Sequence, residues 1–91
     1  MATVTRKHEI VNVKGLHARA SAKFVEAVED FSAKAMVEKD GLCTTGDSIM
    51  GLLMLAASKG TTIDVTTEGA DAVALADALE ALIKDKFGED M

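Results

Sequence analysis

The chain has 91 residues, of which 48% are hydrophobic, and its ten basic and fifteen acidic residues give a formal net charge of −5. This length is enough for one domain with one core, and the apolar content predicts an ordered chain. The negative charge and the lack of Trp and Tyr argue against nucleic acid as a partner, because backbone binding needs clustered cations and base stacking needs aromatic rings.

The sequence also argues against a membrane-spanning or secreted protein. No apolar run approaches the roughly eighteen residues that a membrane helix needs. Residues 1–7 lack the hydrophobic segment of a signal peptide. The single cysteine, Cys43, has no partner for an internal disulfide, so we expect a protein of the reducing cytoplasm.

The first predicted elements are a strand and a helix. Residues 4–13 are typical of an extended segment, and a helical pattern follows His17 and continues to about residues 30–31. The buried stripe of this helix is predicted to contain Phe24, Val28 and Phe31.

A hairpin is predicted next. Residues 35–38 and 42–45 are short strand candidates, and Asp40-Gly41 between them favours a type I′ turn, which needs positive φ angles. We expect Cys43 to pack within its strand as a small hydrophobic residue.

A second, short helix is predicted over residues 49–55. Asp47 or Ser48 is suited to accept hydrogen bonds from its first turn, and Gly60 to end it. Gly51 weakens this helix by about 1 kcal/mol relative to alanine, which indicates an element held in place by packing.

The last predicted elements are a strand over residues 61–67 and a helix capped by Asp71. The tail after Phe87 is expected to fray. The apolar stripe of the last helix is Leu75, Leu79, Leu82 and Ile83. The element order is therefore βαββαβα, and because each helix has one apolar stripe, we predict an α+β sandwich with the helices on one face of a sheet.

The strongest candidate site is His17 at the start of the first helix. A neutral imidazole can act as a nucleophile near neutral pH. Free amides at a helix N-terminus and the cation of Arg19 would stabilise an anionic group there. The alternative is a structural or merely exposed histidine, and the spacing alone leaves both open. The only other histidine, His8, is expected at the surface or rim of its strand, and no metal-binding spacing includes either residue.

Ser48 is the second candidate. Its hydroxyl can serve as a helix cap, or it can be a regulatory phosphorylation site, where added charge would alter partner docking. Residues 49–55 contain more apolar side chains than one buried face of a short helix accommodates. Either some of them are exposed at an interface, or they pack against other helices.

Three segments together resemble HPr, the histidine-containing phosphocarrier of the bacterial sugar phosphotransferase system. They are GLHARASAKFV at 15–25, GDSIMGLLML at 46–55 and KGTTIDVTTEGADAVALADALEALI at 59–83. The similarity covers essentially the whole chain as a single domain, 1–91. The resemblance implies an open-faced sandwich, a four-stranded antiparallel sheet with three helices on one face.

The resemblance also implies the roles of particular residues. His17 matches the histidine that enzyme I phosphorylates on Nδ1 at the expense of phosphoenolpyruvate, and an EIIA-type domain accepts the group. Arg19 matches the active-site arginine, and Ser48 matches the serine that an HPr kinase/phosphorylase modifies in many relatives. The implied protein is a monomeric carrier that needs no cofactor of its own and is not an independent turnover enzyme. The implied partner-binding residues are Ala18, Ala22, Ile49, Met50 and Leu53.

Four positions depart from the family pattern. Ala20 replaces the usual proline, which removes a fixed φ angle from the first helical turn. Glu26 and Glu29 stand where sugar-system relatives often carry lysine, which indicates a differently charged partner and favours the nitrogen-related branch over sugar uptake. Lys14 is a milder change at a variable turn position.

Two other functions remain as alternatives. A regulatory binding module would act through phosphorylation of Ser48 and the apolar second helix, but it would need neither His17 nor Arg19. A small-ligand sensor of the α+β class is the third possibility, and no pocket signature supports it.

Overall fold

The structure is a computed structural model and describes residues 2–90. Its elements occur in the predicted order, and a short 3₁₀ helix, Lys86–Gly88, follows the last of them. The strands are β1 (Ala2–Glu9), β2 (Ala33–Lys39), β3 (Leu42–Thr45) and β4 (Thr62–Gly69). The helices are α1 (Ala18–Glu29), α2 (Ile49–Met54) and α3 (Ala72–Lys84).

The four strands form one antiparallel sheet in the order β1-β4-β2-β3. Alternation along β4 buries Ile63, Val65 and Thr67, because side chains on a strand point alternately to the two faces. The helices cover that face, with Phe24 of α1 and Leu52 of α2 fully buried in the shared core. The predicted open-faced α+β sandwich is confirmed.

The prediction that the first strand continues to residue 13 is wrong. β1 ends at Glu9, and the chain then turns, with the amide of Gly15 donating to the carbonyl of Asn12 at 3.2 Å. Asn12 is completely buried, and its side chain donates to the carbonyl of Gly15 at 2.9 Å. Side-chain bonding to nearby backbone competes with strand pairing, and this explains the early end of β1.

Asp40 and Gly41 have φ angles of 52° and 83°, which confirms the predicted type I′ turn. The prediction that Gly60 ends the second helix is wrong, since α2 ends at Met54. Ala56 takes the positive φ, 52°, immediately beyond the C-cap residue Leu55. The amides of Leu55 and Ala56 donate to the carbonyls of Leu52 and Leu53 at 3.2 and 3.1 Å, and these bonds close the last turn of α2 well before Gly60.

Three predicted side-chain environments are also wrong. Asp71 occupies the N-cap position of α3 as predicted, but its carboxylate does not bond the first turn and instead accepts from the amide of Ser32 at 2.8 Å. Cys43 is exposed, because strand alternation turns Thr44 toward α2 and Cys43 toward solvent. His8 is buried, and burial lowers its pKa although the carboxylate of Glu80 opposes the shift. No helix within residues 2–90 has the length and apolar character to cross a membrane.

Candidate functional site

His17 occupies the N-cap position of α1. Its backbone is extended, and its carbonyl accepts from the amide of Ser21 at 2.8 Å, but its side chain makes no capping hydrogen bond. The imidazole is therefore free for other contacts, and the side chain does not block the first-turn amides. A helix N-terminus of this kind favours a negative group.

The loop before His17 is fixed against the segment that follows α2. The amide of Leu16 donates to the carbonyl of Ala57 at 2.9 Å, and the Leu16 side chain is buried. Gly15 has φ of 66°, and a Cβ atom added there would lie 2.4 Å from the same carbonyl oxygen. Only glycine combines this conformation with such a close approach, so Gly15 helps to determine where His17 lies.

A carboxylate near the C-terminus contacts the histidine. Nε2 of His17 is hydrogen-bonded to Oε2 of Glu89, and the other oxygen of Glu89 accepts from Nδ2 of Asn12 at 2.9 Å. The bond from His17, followed by that from Asn12, lowers the pKa of Glu89 below its ordinary value. Glu89 is therefore an ionised acceptor at neutral pH.

The expectation that the tail frays after Phe87 does not hold for Glu89, which is half-buried and bonded to His17 and Asn12. Met91, the last residue of that tail, lies outside the described residues. Phe87 is 1% exposed in the core, and its carbonyl accepts from Nζ of Lys23 at 2.6 Å. Burying an aromatic ring contributes enough to order a short segment. This anchoring brings Glu89 to His17.

A groove of about 350 Å³ lies beside this contact. Arg19 contributes to its wall, is exposed, and makes no ion pair with any residue from 2 to 90. An anion at the start of α1 would thus meet a guanidinium that is available to bind it. The groove is lined by Val13, Lys14, Arg19, Lys23, Gly88, Glu89 and Asp90.

Three of the positions that depart from the family pattern lie on α1, and the fourth, Lys14, lies in the turn before it. Ala20 is fully buried, and α1 begins at Ala18 although no proline fixes the φ angle of its first turn. Glu26 and Glu29 are both exposed, so the negative charge they add is presented to solvent.

Ser48 is the N-cap of α2, which decides between the two residues predicted for that position. Its Oγ accepts from the amide of Gly51 at 3.0 Å. A Cβ atom at Gly51 would lie 1.9 Å from Oγ1 of Thr44, so this glycine permits close packing of α2 on β3. No contact within residues 2–90 joins Ser48 to His17.

The second helix exposes a large part of its apolar side chains, as one of the two alternatives predicted. Leu52 is buried in the core, as is Leu55 just beyond the helix. Ala18 is exposed and Ala22 is half-buried on α1, which packs against α2. The exposed apolar residues of α2 are Ile49, Met50, Leu53 and Met54, at 39%, 71%, 37% and 70% exposure.

Sequence reasoning missed two residues of the site, Asn12 and Glu89. Asn12 stands before Gly15 in a potential turn, and this could have indicated a side-chain hydrogen bond to the local backbone. No local pattern marks Glu89, because its contact with His17 joins residues that are 72 positions apart.

Comparisons with known proteins identify the family of this chain. Residues 4–85 match the family model PTS-HPr, described as the PTS HPr component phosphorylation site. The phosphocarrier protein HPr of Neisseria meningitidis is 49% identical over 81 residues, which cover 89% of this chain and 91% of the relative.

Two crystal structures from Thermoanaerobacter tengcongensis are also similar. HPr-C-His from that organism has a TM-score of 0.89 at 42% identity, with 100% of both chains covered. An HPr dimer has a TM-score of 0.76 at 43% identity, with 90% of this chain and 94% of the other covered. The chain therefore belongs to the HPr family, whose members are phosphocarrier proteins of the phosphotransferase system rather than turnover enzymes.

Proposed function

We propose that His17 accepts a phosphoryl group from phospho-enzyme I and donates it to an EIIA-type domain. The observation that carries this proposal is the position of His17, whose side chain lies at the N-terminus of α1 without capping it. His17 bonds to Glu89 through Nε2, which leaves Nδ1 as the nitrogen for attack on phosphorus.

Arg19 and the first-turn amides of α1 would stabilise the transferred group. Phosphoryl transfer spreads negative charge over the equatorial oxygens of the transition state, so positioned cations and N–H donors lower the barrier. Arg19 is exposed beside the groove and makes no ion pair with a carboxylate within residues 2–90. We therefore assign it to binding of the phosphoryl oxygens.

The docking surface for both partners would combine α1 and α2. Its proposed members are Ala18, Ala22, Ile49, Met50 and Leu53. Glu26 and Glu29, exposed on α1, would favour partners with basic residues opposite them. This charge supports a role in the nitrogen-related branch. With its apolar face used for partners, the carrier itself would be a monomer, which light scattering of the purified protein would test.

Labelling with enzyme I and radioactive phosphoenolpyruvate tests the carrier function. We expect acid-labile, base-stable label on the wild-type protein and none on His17→Ala. The chain contains only one other histidine, so His8→Gln is the matched control and should retain the label. Label that persists in His17→Ala would refute the assignment of His17.

Ser48 supports a second, regulatory function. Its hydroxyl is half-buried at the start of α2, beside the exposed apolar side chains, so a phosphate of about −1.5 to −2 charges there would change docking. We propose modification by an HPr kinase/phosphorylase, where one is present. Incubation with that enzyme and ATP should label the wild type but not Ser48→Ala.

A purely regulatory module is the alternative to the carrier. It would be favoured if Ser48→Asp altered partner binding while His17→Ala left every phenotype unchanged. Loss of function in His17→Ala would exclude it.

A further inference from the structure

Glu89 makes the only carboxylate contact to His17 within residues 2–90. It lies beyond residues 4–85, the part of the chain that matches the family model, so that match does not account for the contact. We propose that Glu89 is a positioning residue for His17: its carboxylate, held by Asn12, keeps the imidazole proton on Nε2 and the lone pair on Nδ1. The inference rests on the proposed phosphocarrier function.

The direction of the hydrogen bond follows from the chemistry of the two groups. An ionised carboxylate can only accept, so Nε2 of His17 must be the donor. A neutral imidazole carries one N–H, and the proton on Nε2 therefore leaves Nδ1 with its lone pair. The lowered pKa of Glu89 keeps the carboxylate ionised at neutral pH, where the carrier would operate.

Glu89 is itself held by an arrangement that is already in place. Asn12 is fully buried, and its amide nitrogen donates to the carbonyl of Gly15 and to Glu89, each at 2.9 Å. Both neighbours are acceptors, so the amide nitrogen must face them. Phe87 anchors the same segment in the core, and Lys23 bonds its carbonyl. The carboxylate therefore needs little reorganisation to orient the ring.

The same contact would assist the transfer step. The lone pair of Nδ1 forms the N–P bond as the bond from phosphorus to the donor's leaving atom breaks, and that electron pair goes to the donor. Nε2 of His17 keeps its proton, so the ring becomes cationic, and the carboxylate of Glu89 balances the new charge. On transfer to the acceptor, the N–P electron pair returns to Nδ1.

Nitrogen NMR of protein labelled with ¹⁵N-histidine tests the tautomer without any donor or acceptor. In the wild type we expect the His17 proton on Nε2 at a pH where the ring is neutral. Glu89→Ala should lower the ratio of the Nε2–H to the Nδ1–H tautomer by roughly tenfold, and Glu89→Gln, which keeps the size of the side chain, should lower it less. The matched control is Asp85→Asn, which removes one exposed carboxylate four positions earlier in the chain, makes no contact with His17 within the hydrogen bonds and ion pairs of residues 2–90, and should leave the ratio unchanged.

Initial rates of phosphorylation by enzyme I supply the second readout. We expect the rate to fall in the order wild type, Glu89→Gln, Glu89→Ala, while Asp85→Asn equals the wild type. A wild-type His17 with its proton on Nδ1, or an unchanged ratio in Glu89→Ala, would overturn the positioning role. Absence of label on wild-type His17 would instead overturn the proposed carrier function, since the tautomer is measured independently.

Discussion

Replacing Gly15 by alanine should damage both stability and the site, and the structure indicates by how much. Gly15 has φ of 66°, a conformation that costs an alanine about 1–2 kcal/mol. The added Cβ would also lie 2.4 Å from the carbonyl oxygen of Ala57 and 2.9 Å from Cα of Ser58. Both obstacles are backbone atoms and cannot rotate away, so overpacking adds roughly 1–3 kcal/mol.

Gly41→Ala provides the matched control for this experiment. Gly41 has a similar positive φ, 83°, but nothing lies within 4 Å of its added Cβ. Urea denaturation followed by circular dichroism should therefore show a loss of about 1–2 kcal/mol for Gly41→Ala and roughly 2–5 kcal/mol for Gly15→Ala. Only the latter should slow phosphorylation of His17, because it disturbs the Leu16–Ala57 hydrogen bond. Equal losses in the two variants would refute the steric argument.

Three further results are expected. Arg19→Gln should slow phosphorylation by enzyme I by roughly tenfold or more. The melting temperature should stay unchanged, because Arg19 has no ion pair within residues 2–90. A lower melting temperature would indicate a structural role. Met50→Asp should raise the KM of enzyme I for the carrier, whereas Val73→Asp, at an apolar position of α3 that is also exposed, should not. Equal effects of the two substitutions would argue against α2 as the docking surface. The pKa of His8 is lower in the folded protein than its ordinary value of 6.5. As the pH falls below 6.5, the unfolded chain therefore binds a proton at His8 before the folded chain does, and the free energy of unfolding decreases. Urea midpoints at pH 7.5 and 5.5 should show this decrease in the wild type and a smaller one in His8→Gln, and equal decreases would contradict it.

The sequence determined those features of the fold whose causes are local. Strand and helix periodicity gave the order of the elements, and Asp40-Gly41 determined its turn because both residues tolerate positive φ. The end of β1 at Glu9 and the burial of His8 were not predicted. The burial of His8 depends on which elements pack over the strand, and a pattern of neighbouring residues does not record that packing. The end of β1 follows from the hydrogen bond between the side chain of Asn12 and the carbonyl of Gly15, which strand periodicity does not indicate.

The functional site likewise combines residues that the local sequence identified with residues that only the tertiary structure brought together. The sequence by itself located His17, Arg19 and Ser48, because the chemistry of each residue and its place at a helix start are local properties, and the resemblance to HPr gave them roles. Only the tertiary structure brought Glu89 to His17 and buried Asn12, whose side chain bonds Glu89. That contact spans 72 positions and depends on Phe87 entering a core made by other elements, so no window of sequence contains it.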